Sequence, residues 1–240
     1  MRGPGIPRRL CLAVFDMVGT TVQAGDEVPS SFRSAFSTMG IELSDEAIAE
    51  IRGRAKDEAI SELLATHGVD TARVPEISSA VLERFQHHLR SRYQSTARGI
   101  PGVRAVFEFI QAAGIPLVLT TGLDHDTAVV LFQSLGWDTL GLEGMVSGDD
   151  VRRGRPAPDL IRAAMRLAKV SDPDSVLVVG DTAADLEAAA VAGAGWNVGV
   201  LTGGQPRSRL EAHPHSVILE SVRDLPGWLA LTGVVSESRA

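Results

Sequence analysis

The sequence predicts an α/β fold with a mainly parallel sheet and an inserted α-helical cap, and three observations carry that expectation. Short apolar, partly β-branched runs alternate with helical patterns, the signature of parallel strands joined by right-handed crossovers. The alternation is interrupted after the first strand, where helix follows helix as far as about residue 96. The apolar runs end in carboxylates, hydroxyls or glycines, and ligands bind at the carboxyl edge of such a sheet.

The first element is Leu10-Cys11-Leu12-Ala13-Val14-Phe15, a short continuous run that reads as a buried strand delivering Asp16 to the sheet edge. Phe32, Phe36 and Met39 then repeat at helical spacing, with Gly40 as a stop. Ser44-Asp45-Glu46 opens the next helix with a capping hydroxyl and acids in the first turn. A longer helix begins at Pro75 and sets Ile77, Val81, Phe85, Leu89 and Tyr93 on one face. Further strands are expected at residues 116–121, 175–180, 196–201 and 216–219. The expected division is a core of residues 10–21 and 98–240 and a helical cap of residues 22–97. Both chain ends, rich in Gly, Pro, Ser and Arg, are expected to fray.

Composition narrows the function classes. A chain of 240 residues with 44% hydrophobic and 22% charged residues can bury one sizeable core plus a subdomain. A net charge of -7 with no long Lys/Arg cluster argues against a nucleic-acid partner. No apolar stretch approaches the length of a membrane span, so no membrane partner is expected. Cys11 is the only cysteine, which excludes an internal disulfide and fits a reducing, cytoplasmic setting.

Four short motifs follow one another along the core. Asp16-Met17-Val18-Gly19-Thr20-Thr21 has the form of a phosphate-chemistry nucleophile loop in which Val18 stands where a second acid is expected. Leu117-Val118-Leu119-Thr120-Thr121-Gly122 ends a strand in a hydroxyl and a glycine amide suited to phosphoryl oxygens. Gly154-Arg155-Pro156 sets a permanently charged guanidinium ahead of a helix. An apolar strand then runs into Asp181 and Asp185. A hard cation such as magnesium takes oxygen ligands and tolerates one or two protein carboxylates, which makes Asp16 and Asp181 the evident pair.

In these four motifs the chain resembles the haloacid dehalogenase superfamily, in which an Asp nucleophile, a Ser/Thr, a basic residue and an acidic pair occupy these positions. The resemblance implies a Rossmann-like core, magnesium as cofactor and a small-molecule phosphonate or phosphate as substrate. Val18 in place of an Asp, and Arg155 in place of a Lys, match the phosphonatase branch, whose loop reads Asp-x-Ala-Gly-Thr-Thr and whose basic residue lies in Gly-Arg-Pro. A positioned general acid contributes about 10²- to 10⁴-fold, so a phosphomonoesterase with Val18 would be handicapped. A carbon leaving group needs an electron sink instead, such as an iminium between a lysine and a substrate aldehyde.

Lys56 sits where phosphonatases carry such a lysine, and it is one of two lysines in the chain. The resemblance therefore implies cleavage of the carbon–phosphorus bond of phosphonoacetaldehyde or a related phosphonate, with Asp16, Lys56, Thr121 and Arg155 catalytic. Gly122 and Arg52 would contact substrate. Asp16, the Val18 carbonyl, Asp181 and Asp185 would surround the metal, and a homodimer is implied. The cap departs at Ala59, where phosphonatases have a His, and at Arg52, where they have a Met. The alternative is a phosphatase of small phosphomonoesters in which Lys56 is a cap phosphate contact. His125, nearest in sequence to Thr121 among the histidines, is expected to be structural.

Overall fold

The computed structural model describes residues 9–51 and 54–233. The expectations for the two chain ends and for Arg52 lie outside the described residues. Six strands form one sheet: β1 (Leu12–Asp16), β2 (Leu117–Thr120), β3 (Gly144–Val146), β4 (Val176–Gly180), β5 (Trp196–Val200) and β6 (Val217–Leu219). Their order is β3-β2-β1-β4-β5-β6 and every pairing is parallel. The order reverses beside β1, so the sheet opens its ligand crevice at the carboxyl ends of β1, β2 and β4.

Side chains on β1 alternate between two apolar layers, as the pleat requires. Leu12 and Val14 pack with Leu160, Ile161, Ala164, Ala188 and Ala189 on one face of the sheet. Ala13 and Phe15 face the other, larger cluster, where Phe107 meets Phe15 edge-on at 5.8 Å. With both faces covered, the strands carry continuous apolar runs.

Between β1 and β2 the chain is helical. α1 (Glu27–Ser37), α2 (Asp45–Glu50), α3 (Lys56–Thr66) and α4 (Val74–Thr96) precede α5 (Val103–Ala112), which packs on the sheet. Ser44 caps α2 by accepting a hydrogen bond from the Ala47 amide at 3.2 Å. Val81, Phe85, Leu89 and Tyr93 form the buried face of α4, and Phe85 stacks against Phe32 of α1 at 4.4 Å. α1 ends at Ser37, short of Met39, which packs against the core from the following turn.

The two crossings between this helical segment and the sheet lie side by side. Gln23 N donates to Arg98 O and Ile100 N to Thr21 O, each at 2.8 Å. After β2 come α6 (His125–Ser134), α7 (Asp159–Leu167), α8 (Ala183–Ala192), α9 (Arg207–Glu211) and α10 (Leu225–Thr232). Arg90 of α4 pairs with Asp124, the N-cap of α6, at 3.3 Å and ties the segment to the sheet's helices. No helix among the described residues is long and apolar enough to cross a membrane.

Candidate active site

Strand register assembles the site. Asp16 lies opposite Thr120, and Phe15 opposite Val179. The residues just beyond the ends of β1, β2 and β4 therefore meet: the loop after Asp16, then Thr121-Gly122, then Asp181. They line one cavity together with Lys56, Arg155, Asp185 and Val18, while α1 and α2 contribute Glu27, Val28, Pro29, Phe32 and Ile48. Of the sequence-predicted residues, Asp16, Val18, Lys56, Thr121, Gly122, Arg155, Asp181 and Asp185 all border this cavity. His125 is not among its lining residues; its amide donates to Asp149 Oδ1 at 2.9 Å.

The loop after β1 turns tightly because the Met17 carbonyl accepts the amides of Thr20, Thr21 and Val22 at 3.2, 2.9 and 2.8 Å. Gly19 takes φ +101°, a conformation that side chains disfavour. A Cβ there would stand 2.4 Å from Asp181 Oδ2, and one at Gly203 would stand 1.6 Å from it. Two glycines thus make room for the Asp181 carboxylate. The Thr20 hydroxyl donates to Asp181 Oδ1 at 3.0 Å, and Thr202 Oγ1 donates to Gly19 O at 2.5 Å.

Arg155 is 6% exposed, far from the surface position an isolated arginine usually takes. Its Nη2 pairs with Asp16 Oδ1 and its Nε with Asp185 Oδ1, both at 2.7 Å. Nη2 also donates to Thr120 Oγ1 at 3.0 Å. Asp185 Oδ2 accepts from the Thr182 amide at 3.0 Å and from its hydroxyl at 2.5 Å, closing a capping box at the start of α8. Both Asp185 oxygens are engaged by protein groups, which marks it as the residue that orients Arg155.

One carboxylate oxygen from each of Asp16, Asp181 and Asp185 lies within 4.8 Å of the others, and all three residues are buried. Crowding acids away from water disfavours their charged forms. Burial pushes the Asp16 carboxyl up to about 6, with the Arg155 charge opposing and the Asp185 charge adding. Asp181 is also raised, by burial first and then by the charges of Asp16 and Asp185. Burial works against the Arg155 charge, but Asp185, Asp16 and Asp181 outweigh it and hold the guanidinium ionised. This excess of buried negative charge, on oxygen donors alone, fits a divalent hard cation.

Lys56 begins α3 and is half-buried, with its ammonium donating to Arg54 O at 3.1 Å. Burial and then the Arg155 charge lower its pKa to about 8, against the pull of Asp16. Ala59, one turn on, is fully buried and turned into the apolar core. The Thr121 hydroxyl accepts from the Leu123 amide at 3.2 Å, which leaves its proton to donate elsewhere.

Sequence reasoning missed Thr20, Thr120, Thr202, Gly203 and Glu27. Thr20 and Thr120 each open a Thr-Thr doublet, Thr120 beside the predicted Thr121, and that repetition of hydroxyls at two strand ends was the available signal.

The chain matches the haloacid dehalogenase-like hydrolase family over residues 12–193. It is similar to the phosphonoacetaldehyde hydrolase of Latilactobacillus sakei subsp. sakei, 30% identical over 200 residues that cover 80% of this chain and 73% of that one. A hydrolase from Pseudomonas syringae superposes with a TM-score of 0.82 at 25% identity, covering 94% of this chain and 100% of its own. A phosphonoacetaldehyde hydrolase-like protein from Oleispira antarctica shares the fold over 100% of both chains, with a TM-score of 0.84 at 20% identity. With an Asp, a Thr, an Arg and an acidic pair gathered at the carboxyl edge of a parallel sheet, the chain belongs to the haloacid dehalogenase-like hydrolases.

Proposed function

We propose that the protein is a magnesium-dependent phosphonatase-like hydrolase that cleaves the carbon–phosphorus bond of phosphonoacetaldehyde or a related phosphonate. The observation that carries this reading is Lys56, an amine lowered to about 8 in the same cavity as Asp16, beside a loop whose Val18 has no acid to protonate an alkoxide. The similarity to a phosphonoacetaldehyde hydrolase supports it. Residues 22–97 then act as the cap that carries Lys56 to the core.

Asp16, Asp181 and the Val18 carbonyl would hold magnesium, with Asp185 acting through Arg155 and Thr182. The ion supplies neutralising charge for the phosphoryl oxygens when bound. Because carboxylates bind the cation deprotonated, magnesium affinity measured by calorimetry between pH 5 and 8 should fall as pH drops through about 6, the value to which Asp16 is raised. An affinity constant across that interval would contradict the ligand set.

The neutral Lys56 amine adds to the aldehyde carbonyl and, with uptake of a solvent proton and loss of water, gives a protonated imine. Asp16 Oδ attacks phosphorus; a P–O bond forms while the C–P bond breaks, its electron pair passing into the iminium to leave an enamine on Lys56. The Thr121 hydroxyl, the Gly122 amide and Arg155 hold the phosphoryl oxygens as charge shifts. Water then hydrolyses the aspartyl phosphate, releasing phosphate and restoring Asp16. The enamine takes a proton on carbon and is hydrolysed to acetaldehyde and the free amine.

Borohydride added with phosphonoacetaldehyde should label Lys56 and spare Lys169, with trapping that quickens as pH rises through about 8. Lys56→Ala should lose phosphonate cleavage by at least about 10³-fold. A variant that still cleaves phosphonate at the wild-type rate would remove the imine step. Retained phosphate release from a phosphomonoester alone would turn the assignment to the phosphatase alternative.

A further inference from the structure

We propose that Glu27 sets the charge preference of the cavity's carbon-binding portion, accepting an ammonium or other hydrogen-bond donor on the substrate and rejecting a second anionic group. The inference rests on the reading that this cavity takes a small phosphonate or phosphate, and it names which of these it takes.

The lining divides by origin. The sheet edge supplies the groups assigned to phosphoryl chemistry and α3 the Lys56 amine assigned to the aldehyde, whereas α1 and α2 supply a wall of Val28, Pro29, Phe32 and Ile48. Glu27 is the one titratable side chain in that wall among the described residues. The hydroxyls of Ser30 and Ser31 bond to its backbone carbonyl, at 3.2 and 2.6 Å, and its carboxylate has no hydrogen-bond or ion-pair partner among the described residues.

Glu27 is the first residue of α1, where the helix dipole favours an anion. Its charge reaches the buried Tyr93 hydroxyl, whose pKa rises through burial first and then through Glu27 and Asp16. Glu27 is not among the charges that shift the Lys56 amine, which are Arg155 and Asp16. The cavity thus carries Glu27 on its α1 wall and Lys56 at the start of α3.

A phosphoryl group held by Arg155, Thr121 and Gly122 leaves its carbon portion between Lys56 and the α1 wall. There an ammonium gains a charge-assisted hydrogen bond to Glu27, and a carboxylate meets a like charge. The substrate class that fits is a short-chain phosphonate or phosphate whose carbon portion is neutral or cationic.

The test is binding, so it stands apart from turnover. Calorimetric titration in magnesium buffer compares 2-aminoethylphosphonate with 3-phosphonopropionate, which share a two-methylene spacer and differ in terminal charge, with propylphosphonate as the neutral reference. Wild type should bind the amine tighter than the carboxylate by about tenfold or more, the size of one charge-assisted hydrogen bond. Glu27→Gln should collapse that ratio, weakening the amine and strengthening the carboxylate relative to the neutral ligand, while Glu27→Asp keeps the wild-type order. A ratio unchanged in Glu27→Gln with an unaltered melting temperature overturns the proposal, as does equal binding of all three ligands to wild type. Failure of borohydride to label Lys56, with the Glu27-dependent ratio intact, would count against carbon–phosphorus cleavage and leave the charge preference standing.

Discussion

Asp16→Asn is expected to abolish phosphate release, by about 10⁴-fold or more, while the protein still folds. The amide is nearly isosteric with the carboxylate but is a poor nucleophile toward phosphorus, and no other carboxylate takes its place. Asp181 is held by Thr20 at 3.0 Å, and Asp185 has both oxygens bound by Arg155 and Thr182. The fold tolerates the change because Arg155 keeps its 2.7 Å bond to Asp185 and its 3.0 Å bond to Thr120. Phosphate release from phosphonoacetaldehyde and from a phosphomonoester, read beside the melting temperature, checks both halves. Activity within tenfold of wild type would remove Asp16 as the nucleophile under either choice of substrate.

Arg155→Met should damage stability and activity together. Asp16 and Asp185 are 7% and 4% exposed, and removing their shared cation leaves two buried carboxylates uncompensated, a loss of about 3–5 kcal/mol. The pH dependence has a definite sign. Asp16 already titrates at about 6 in the folded chain, above the ordinary 3.8, so between those values the native state binds more protons than the unfolded one and stability falls as pH rises. Without Arg155 the folded value climbs further, which deepens the penalty at neutral pH. The destabilisation seen in urea should therefore be larger at pH 8 than at pH 5.

The same substitution removes the charge that helps to lower Lys56. The acid limb of any residual activity and the pH at which borohydride traps Lys56 should both move upward. Arg155→Lys restores one charge but not the fork that reaches Asp16, Asp185 and Thr120 at once. It should recover more stability than activity. A destabilisation equal at both pH values would show that the carboxylates are compensated by something other than Arg155.

The parallel sheet and the helical run inside it were legible because both write periodic patterns into the sequence. Five of the six strands coincide with apolar runs, to within a residue or two at their ends. β3 was not legible: it spans three residues, Gly144–Val146, two of them half-buried, and no apolar run marks it. Asp16, Thr121, Arg155 and Asp181 stood out since each falls at a strand end or beside a helix start. What supports them did not, because those contacts join residues remote in the chain. Thr20 and Asp181 are 161 positions apart, Thr202 and Gly19 are 183 apart, and Thr120 and Arg155 are 35 apart. Only folding reveals such pairs, as it reveals that Arg155 is buried rather than solvated.

The two crossings beside β1, pinned by Gln23 N to Arg98 O and Ile100 N to Thr21 O, bear on how such an enzyme can diversify. Since the chain leaves the sheet and returns to it at neighbouring points, the length of what lies between costs little: each doubling of a closed loop adds about 0.6 kcal/mol of closure entropy. The sheet's own pairing does not depend on the content of that excursion. The helices between those crossings can therefore change in length and content at small cost to the sheet. In this chain Glu27 and Lys56 lie within that excursion and Asp16 just before it, so the groups proposed to face the substrate can change without rebuilding the strand that carries the proposed nucleophile.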